Sequence, residues 1–247
     1  MASRHAERVS SKVATLTCYM CDEPATSMEH APPKCIFPER KDVSEDADYR
    51  KSLITVPACD EHNRKKSGDD ELMLYVLALS ITSGDVAEIQ LKTKIERAVH
   101  RNPSLMRWIS KCCVPISIHA RTAGTMEEGL AIQIDMSRFD RAVKHTARAL
   151  YFHDTGRKFL GPIQVRTPFA PFARDVKQND EILRAAFNAE QFFFTHPARG
   201  ENPEVFSYKR CESERSCIML LTFYEDTKVL VRLDKHSVAS EKMGGVN

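Results

Sequence analysis

Apolar and polar positions divide the chain at about residue 70. Residues 16–67 show no long apolar periodicity and are rich in cysteine, histidine, proline and charge, so this stretch needs a staple such as a metal ion. In KSGDDELMLYVLALS the pattern becomes helical, with acidic residues in the first turn and Ser67 or Asp69 as the N-cap. The shift predicts a domain boundary near residue 70, and residues 1–15 are expected to be a flexible N-terminus.

Beyond residue 70 the pattern alternates between helical and extended segments. Apolar residues at helical spacing predict helices over residues 85–101, 105–113, 137–155 and 180–194. In the third of these, Phe139, Val143, Ala147 and Leu150 share one face, and Gly156 provides the C-terminal stop. VPISIHA and GLAIQID predict a hairpin around a glycine-containing turn, and EVFSYKRC with SCIMLLTFYEDTKVLVRL predicts two or three antiparallel strands. We therefore expect an α+β domain over residues 71–247.

The composition is that of an ordinary globular chain. Of its 247 residues, 42% are apolar and 28% are charged, unlike the composition of a disordered protein. No apolar run approaches the roughly 18 residues of a membrane span, and the start of the chain lacks the apolar stretch of a signal peptide. We therefore expect a cytoplasmic protein without a membrane partner. Its eight cysteines are then expected to be reduced thiols or metal ligands rather than disulfides.

The charge balance does not predict a broadly basic surface. The net charge is +2, and residues 1–70 contain 11 Lys and Arg against 13 Asp and Glu. Any contact with nucleic acid would therefore depend on a local cluster, for which Arg64-Lys65-Lys66 is the candidate. The competing interpretation is that these three residues form the solvated face of a short helix.

Two short-spaced ligand pairs are the most specific chemical signal in the chain. Cys18-x2-Cys21 and Cys59-x2-His62 offer the four thiolate and imidazole ligands that a tetrahedral structural zinc ion takes. The 37 residues between the pairs, 22–58, far exceed the interval in a C2H2 finger. The pattern predicts a structural zinc ion that ties together the two ends of a larger unit.

Within this unit, Glu29 and His30 precede two prolines in SMEHAPPK, and LITVPA predicts a strand that leads into the second ligand pair. DEHNRKKS then predicts a short helix that carries His62 and Asn63. The order strand, strand, helix resembles the HNH endonucleases, whose ββα-metal core (the His-Me finger) has a catalytic histidine on its first strand. The matching segments are CYMC, MEHAPPK, LITVPAC and CDEHNRKKS, which cover residues 16–70, about a quarter of the chain.

The resemblance implies a metal-dependent endonuclease that hydrolyses phosphodiester bonds of nucleic acid, with DNA favoured over RNA. His30 would be the general base, and Glu29 and Asn63 would hold one Mg²⁺ or Mn²⁺ ion. Lys66, with Arg64 as a second candidate, would add positive charge, and the products would carry 5′-phosphate and 3′-hydroxyl ends. The chain departs from the family pattern at Glu29, His62 and Asn63, where aspartate, cysteine and histidine are usual.

Two other functions are open at this point. The zinc module can be a non-catalytic unit that binds nucleic acid or a protein partner. Alternatively, residues 71–247 can carry the main function while the module only delivers it. If the protein is a nuclease, the presence of a second domain suggests, by analogy alone, a role in restriction or defence. Residues 71–247 would then serve in recognition, in regulation or in homodimer formation.

Other reactive residues have simpler interpretations. Cys35 lies close to His30 in sequence but lacks a third group for nucleophilic catalysis, so we expect a buried thiol. The other cysteines without a partner at ligand spacing are expected in the core or in strands: Cys112, Cys113, Cys211 and Cys217. His145 and His153 are eight residues apart, which disfavours a shared metal, and a helix end explains His153 beside Asp154 better. The triplet at 192–194 is expected in the core rather than as a base-stacking surface.

Overall fold

The computed structural model describes residues 16–80, 84–119, 126–169 and 176–235. The predicted flexible N-terminus, residues 1–15, and the glycine-containing turn of the predicted hairpin lie outside the described residues. Within them the fold is mixed α+β, as the order of elements predicts. None of the helices in these ranges combines the length and the apolar composition that crossing a membrane requires.

The described elements are nine strands and seven α-helices. The helices are α1 (Asp60–Asn63), α2 (Ser67–Ala78), α3 (Asp85–Gln90), α4 (Glu96–Arg101), α5 (Pro103–Cys112), α6 (Met136–Thr155) and α7 (Val176–Phe193). A π-helical turn over Leu91–Ile95 joins α3 to α4. The strands are β1 (Ser27–His30), β2 (Thr55–Ala58), β3 (Cys113–His119), β4 (Met126–Ile132), β5 (Ile163–Arg166), β6 (Arg199–Asn202), β7 (Phe206–Glu212), β8 (Ser216–Phe223) and β9 (Thr227–Asp234).

Helix α2 lies within the core and is apolar on every side after its polar first turn. The seven consecutive residues 72–78 are all buried, as is typical of a helix surrounded by the core. The predicted N-cap at Ser67 or Asp69 is wrong, since no side chain caps α2. The backbone N–H of Ser67 instead donates to the carbonyl oxygen of Arg64 in the preceding 3-10 turn, and Asp69 accepts hydrogen bonds from Arg138 and Arg141 of α6.

Helix α6 has the face that its sequence predicts. Phe139, Val143, Ala147 and Leu150 are all buried. Gly156 follows the helix with a φ of 67° and donates its N–H to the carbonyl oxygen of Phe152 at 2.7 Å, which is the left-handed stop that glycine favours. Because α6 packs against α2, β2 and β5, it joins the N-terminal segment to the C-terminal sheet.

The C-terminal sheet is antiparallel throughout, in the order β5-β9-β8-β7-β6. The two segments predicted to form two or three antiparallel strands form three, β7, β8 and β9. The edge strands β5 and β6 have only four residues each and were not predicted. In β5, Ile163 is buried and alternates with polar residues, but four residues are too few to establish a period, and β6 has no apolar residue.

Helix α7 begins at Val176, four residues before the predicted start at residue 180. The expectation that the whole phenylalanine triplet lies in the core is wrong. Phe193 is buried, whereas Phe192 is 52% and Phe194 is 80% exposed. Successive residues of a helix point about 100° apart, so Phe192 points away from the side that Phe193 buries, and Phe194 lies beyond the end of α7.

Buried residues on both sides of residue 70 belong to one hydrophobic cluster that includes both Cys18 and Leu233. The buried hydroxyl of Tyr224 donates to the carbonyl oxygen of Ile36 at 2.7 Å. Gln90 of α3 donates to the same oxygen through Nε2 at 2.7 Å. The loop after β1 is therefore held by the C-terminal sheet and by α3, while the division into domains near residue 70 stays a prediction.

The variant Tyr224→Phe tests whether the segment before residue 70 and the C-terminal sheet unfold together. We expect it to lower the free energy of unfolding by about 1 kcal/mol, because a buried hydrogen bond is lost while Gln90 still pairs the Ile36 carbonyl. Urea unfolding would be followed by Trp108 fluorescence and by far-UV circular dichroism. A single transition that moves as a whole is expected, whereas two transitions of which one moves would show that the parts unfold independently.

A bidentate ion pair fixes α4 against the loop between β1 and β2. Nη1 and Nη2 of Arg97 each lie 2.7 Å from a carboxylate oxygen of Asp42. The hydrogen bonds from Arg97 hold the pKa of Asp42 below its usual value, although burial acts in the opposite direction. The pair thereby sets how α4 is oriented relative to that loop.

Asp42→Asn removes the negative charge that pairs with Arg97, so it should destabilise the protein. Because Arg97 is partly exposed and solvent screens the pair, we expect a loss of only about 1 kcal/mol at neutral pH. The folded pKa of Asp42 lies below its unfolded value of about 3.9. Its contribution is therefore complete above the unfolded pKa and is lost as the pH falls through the folded pKa. The difference between the urea midpoints of wild type and variant should be constant from pH 7 to about pH 5. It should shrink below about pH 4. A difference that does not shrink towards pH 3 would contradict this assignment.

Candidate metal centre and adjoining pocket

The two short-spaced pairs converge on one point. Cys18 and Cys21 precede β1, Cys59 directly follows β2, and His62 lies in α1. Strand β1 pairs antiparallel with β2, which carries ligands up to 44 residues apart to the same end of this small sheet. The four ligand atoms all lie within 4.8 Å of one another.

The separations are close to those of a tetrahedral zinc site. Nδ1 of His62 lies 3.4, 3.5 and 3.3 Å from the sulfurs of Cys18, Cys21 and Cys59, and the sulfurs of Cys21 and Cys59 are 3.7 Å apart. Sulfur and nitrogen ligands at zinc bond lengths and tetrahedral angles lie about 3.5–3.8 Å apart. The group could therefore hold a zinc ion after small side-chain shifts. Among the described residues, no second cluster of this kind is present.

A histidine that is not a ligand packs behind the cluster. The ring of His145, from α6, lies 6.2 Å from that of His62, and the Tyr19 hydroxyl lies 3.3 Å from His145 Nδ1. Burial, with smaller effects of neighbouring cations, lowers the pKa of His145 to about 4, so this ring is neutral at pH 7. His153 is exposed near the end of α6, and Asp154 accepts a hydrogen bond from Tyr208.

Metal analysis tests the cluster directly. We expect one zinc ion per chain in the purified protein, absent from Cys59→Ala and retained in Cys211→Ser, which changes a thiol outside the cluster. Loss of one of four ligands weakens a structural site and couples to stability. Elemental analysis after gel filtration measures the content. Equal zinc content in wild type and Cys59→Ala would refute the assignment.

A cavity of about 450 Å³ adjoins this unit. It is bounded by β1, by the loop after β1, by the start of α2, and by the π-turn with α4. The predicted site residues Glu29, His30 and Asn63 all line it. Since Asn63 directly follows the ligand His62, the cavity and the metal centre share the helix α1.

Lys66 is buried between two carboxylates at the edge of this cavity. Its Nζ lies 2.6 Å from Oε1 of Glu29 and 2.6 Å from Oδ2 of Asp70, and the side chains are 8%, 8% and 15% exposed. Burial acts against the charge on Lys66, but Asp70 and Glu29 outweigh it and raise the pKa of Lys66. Burial raises the pKa of both Glu29 and Asp70, although Lys66 opposes that shift. The three groups form one buried unit, in which a single ammonium group lies between two carboxyl groups.

The three consecutive basic residues therefore have different surroundings. Arg64 and Lys65 are exposed and pair with Asp60 and Glu61 of α1, whereas Lys66 points inward. In this geometry Lys66 is the counter-ion of Glu29 and Asp70. Its predicted contact with a phosphate, like that of Arg64, stays a prediction.

His30 and Asn63 are positioned for different tasks. Burial lowers the pKa of His30, and Lys34, Arg50 and Lys66 lower it further. The imidazole is therefore neutral near pH 7 and able to accept a proton. Asn63 donates through Nδ2 to the Ser27 hydroxyl at 2.7 Å, which leaves its carbonyl oxygen as the atom that a cation could use.

Three side chains bring oxygen atoms to the cavity. Glu29, Asn63 and Asp70 all line it, and Oδ1 of Asp70 is a buried carboxylate oxygen without a hydrogen-bond partner among the described residues. Mg²⁺ prefers oxygen ligands of this kind. Lys66 competes with such a cation for the negative charge of Glu29 and Asp70.

Asp70 was not identified as a site residue from the sequence, where it reads as an acid in the first turn of α2. The available signal was its position four residues after Lys66, which places both on one helix face. Cys35 also lines the cavity, and burial raises the pKa of its thiol to about 12. The thiol donates to the Asp70 carbonyl oxygen at 3.3 Å, consistent with the predicted unreactive role.

Comparison of the chain with protein-family models, with curated proteins and with solved structures finds no match in any of the three. The function is therefore inferred from the residues and their geometry.

Proposed function

We propose that this protein is a metal-dependent endonuclease of the HNH type that hydrolyses phosphodiester bonds of nucleic acid, with DNA as the favoured substrate. The main support is that Glu29, His30 and Asn63 line one cavity on the strand, strand, helix unit that carries the Cys3His group. This is the arrangement that the resemblance implies. By analogy alone, the biological role would be restriction or defence.

In this mechanism His30 is the general base. Its neutral imidazole takes a proton from water while the water oxygen forms a bond to phosphorus in line with the leaving group. The bond from phosphorus to the 3′ oxygen breaks, and that oxygen takes up a proton from solvent. The products carry 5′-phosphate and 3′-hydroxyl ends.

The remaining residues hold charge in place around His30. Glu29, Asn63 and the additional ligand candidate Asp70 would hold a Mg²⁺ or Mn²⁺ ion, which supplies positive charge to the scissile phosphate. The Cys3His group would hold zinc in a structural role and would fix α1 against β1. Lys66 keeps the buried carboxylates paired and oriented.

The second candidate is a non-catalytic zinc module that binds nucleic acid or a protein. One observation favours it: Oε1 of Glu29 is already paired with Lys66 at 2.6 Å, which reduces the charge available to a catalytic cation. The two candidates are distinguished by whether the protein cleaves nucleic acid.

Plasmid cleavage distinguishes them. Purified wild type in Mg²⁺ or Mn²⁺ is expected to nick or linearise supercoiled DNA, and His30→Ala should slow this by roughly 10²–10⁴-fold, the usual contribution of a general base. His153→Ala is the matched control, because it removes an exposed histidine at the end of α6 and should cleave like wild type. All three proteins should retain zinc.

Equal cleavage by wild type and His30→Ala would remove His30 from the mechanism. Absence of cleavage by zinc-loaded wild type with either metal, on DNA and on RNA, would favour the binding module.

A further inference from the structure

Three cations line the same cavity as His30, and none of them is a site residue predicted from the sequence. Lys34 comes from the loop after β1, Lys94 from the π-turn, and Arg101 from the last residue of α4. Lys94 is 60 positions along the chain from Lys34. The fold, rather than any local motif, brings these positive charges together.

The cations of the segment from α3 to α4 fall into two groups. Lys92 pairs with Glu88, and Arg97 pairs with Asp42. Lys94 and Arg101, which line the cavity, have no carboxylate within 4.0 Å among the described residues, and neither has Lys34. Within the part of the chain that the structure describes, neither cavity-lining cation of this segment forms an ion pair, although Glu39 and Asp42 act on Lys94 from a longer distance.

The spacing of the cavity-lining residues on this segment places Lys94 and Arg101 on one side. Lys94, Ala98 and Arg101 all line the cavity, and their spacing of four and three residues places them along one helix face. The small side chain of Ala98 leaves room between the two cations. A favourable interaction of Arg101 with the end of the helix would explain that residue alone and would not explain Lys34 or Lys94.

Lys94 and Lys34 lie close enough to the other cavity residues to interact with them. Lys94 is half-buried, donates to the Cys35 carbonyl oxygen at 2.9 Å, and has a pKa lowered by burial. Lys34 contributes to the lowered pKa of His30, so its field reaches the imidazole. Positive charges that line a concave site raise the local concentration of a polyanion.

We infer that Lys34, Lys94 and Arg101 form a phosphate-binding rim that holds the nucleic-acid backbone beside the cleaved bond. The inference rests on the proposed nuclease function and adds the residues that bind the substrate. The cavity lining then has two electrostatic parts. One part carries the oxygen donors Glu29, Asn63 and Asp70, with Glu71 as a further carboxylate that accepts a hydrogen bond from Tyr75. The other part carries the ammonium and guanidinium groups for phosphates.

Binding measured without cleavage tests the rim. The zinc-loaded His30→Ala protein, residues 1–247, would be titrated into fluorescein-labelled duplex and single-stranded DNA without added Mg²⁺, at several salt concentrations. The rim variant adds Lys34→Ala and Arg101→Ala and leaves Lys94, because its Nζ binds the Cys35 carbonyl. The matched control adds Lys111→Ala and Arg157→Ala, which remove two exposed cations that do not line the cavity.

The rim variant should bind duplex DNA roughly tenfold more weakly at 0.1 M salt, and the slope of log affinity against log salt should shrink by about 0.9 for each lost contact. The control should match its parent. Equal losses in both variants, no loss in the rim variant, or no DNA binding by the parent would each overturn the rim. Wild-type plasmid cleavage is scored separately, so cleavage with an unchanged rim variant refutes the rim and leaves the nuclease proposal standing.

Discussion

The approach of Cys18 and Cys21 to Cys59 and His62 is the constraint on which the pocket depends. Strands β1 and β2 have four residues each, and an isolated two-stranded sheet is marginal in water. The ligand cluster holds one end of this sheet, and the loop beyond the other end is held through Ile36 by Tyr224 and Gln90. His30 and Asn63 can therefore face one cavity although they come from a short strand and a single-turn helix.

Electrostatics organise the space between these supports. A buried lysine that loses its partners leaves uncompensated charge, which typically costs several kcal/mol, so Glu29, Lys66 and Asp70 are mutually dependent. The same carboxylates that suit a divalent cation are thus held in place by an ammonium group. Among the described residues, Lys34, Lys94 and Arg101 have no carboxylate within 4.0 Å, although Lys94 donates to the Cys35 carbonyl oxygen. In the proposed rim these three cations would meet phosphates, whereas Lys66 is already paired.

Much of the fold was predictable because its signals are local. The period of α6, its stop at Gly156 and the three apolar strands β7 to β9 each depend on residues near in sequence. The failures have physical causes. Helix α2 follows a 3-10 turn instead of a side-chain N-cap. Strand β5 is too short to establish its period, and β6 is short and polar. Of the phenylalanine triplet, only Phe193 is buried.

For the candidate site, the sequence by itself determined the four-ligand cluster and the order of strands and helix around it, because ligand spacing and apolar runs are written in short segments. The tertiary structure alone decided that Lys66 lies buried against Glu29 and Asp70 while its neighbours Arg64 and Lys65 face solvent. It also decided that Lys34, Lys94 and Arg101 share a cavity with His30. The physical reason is that a charge's partner depends on packing between distant segments, and no local pattern records it.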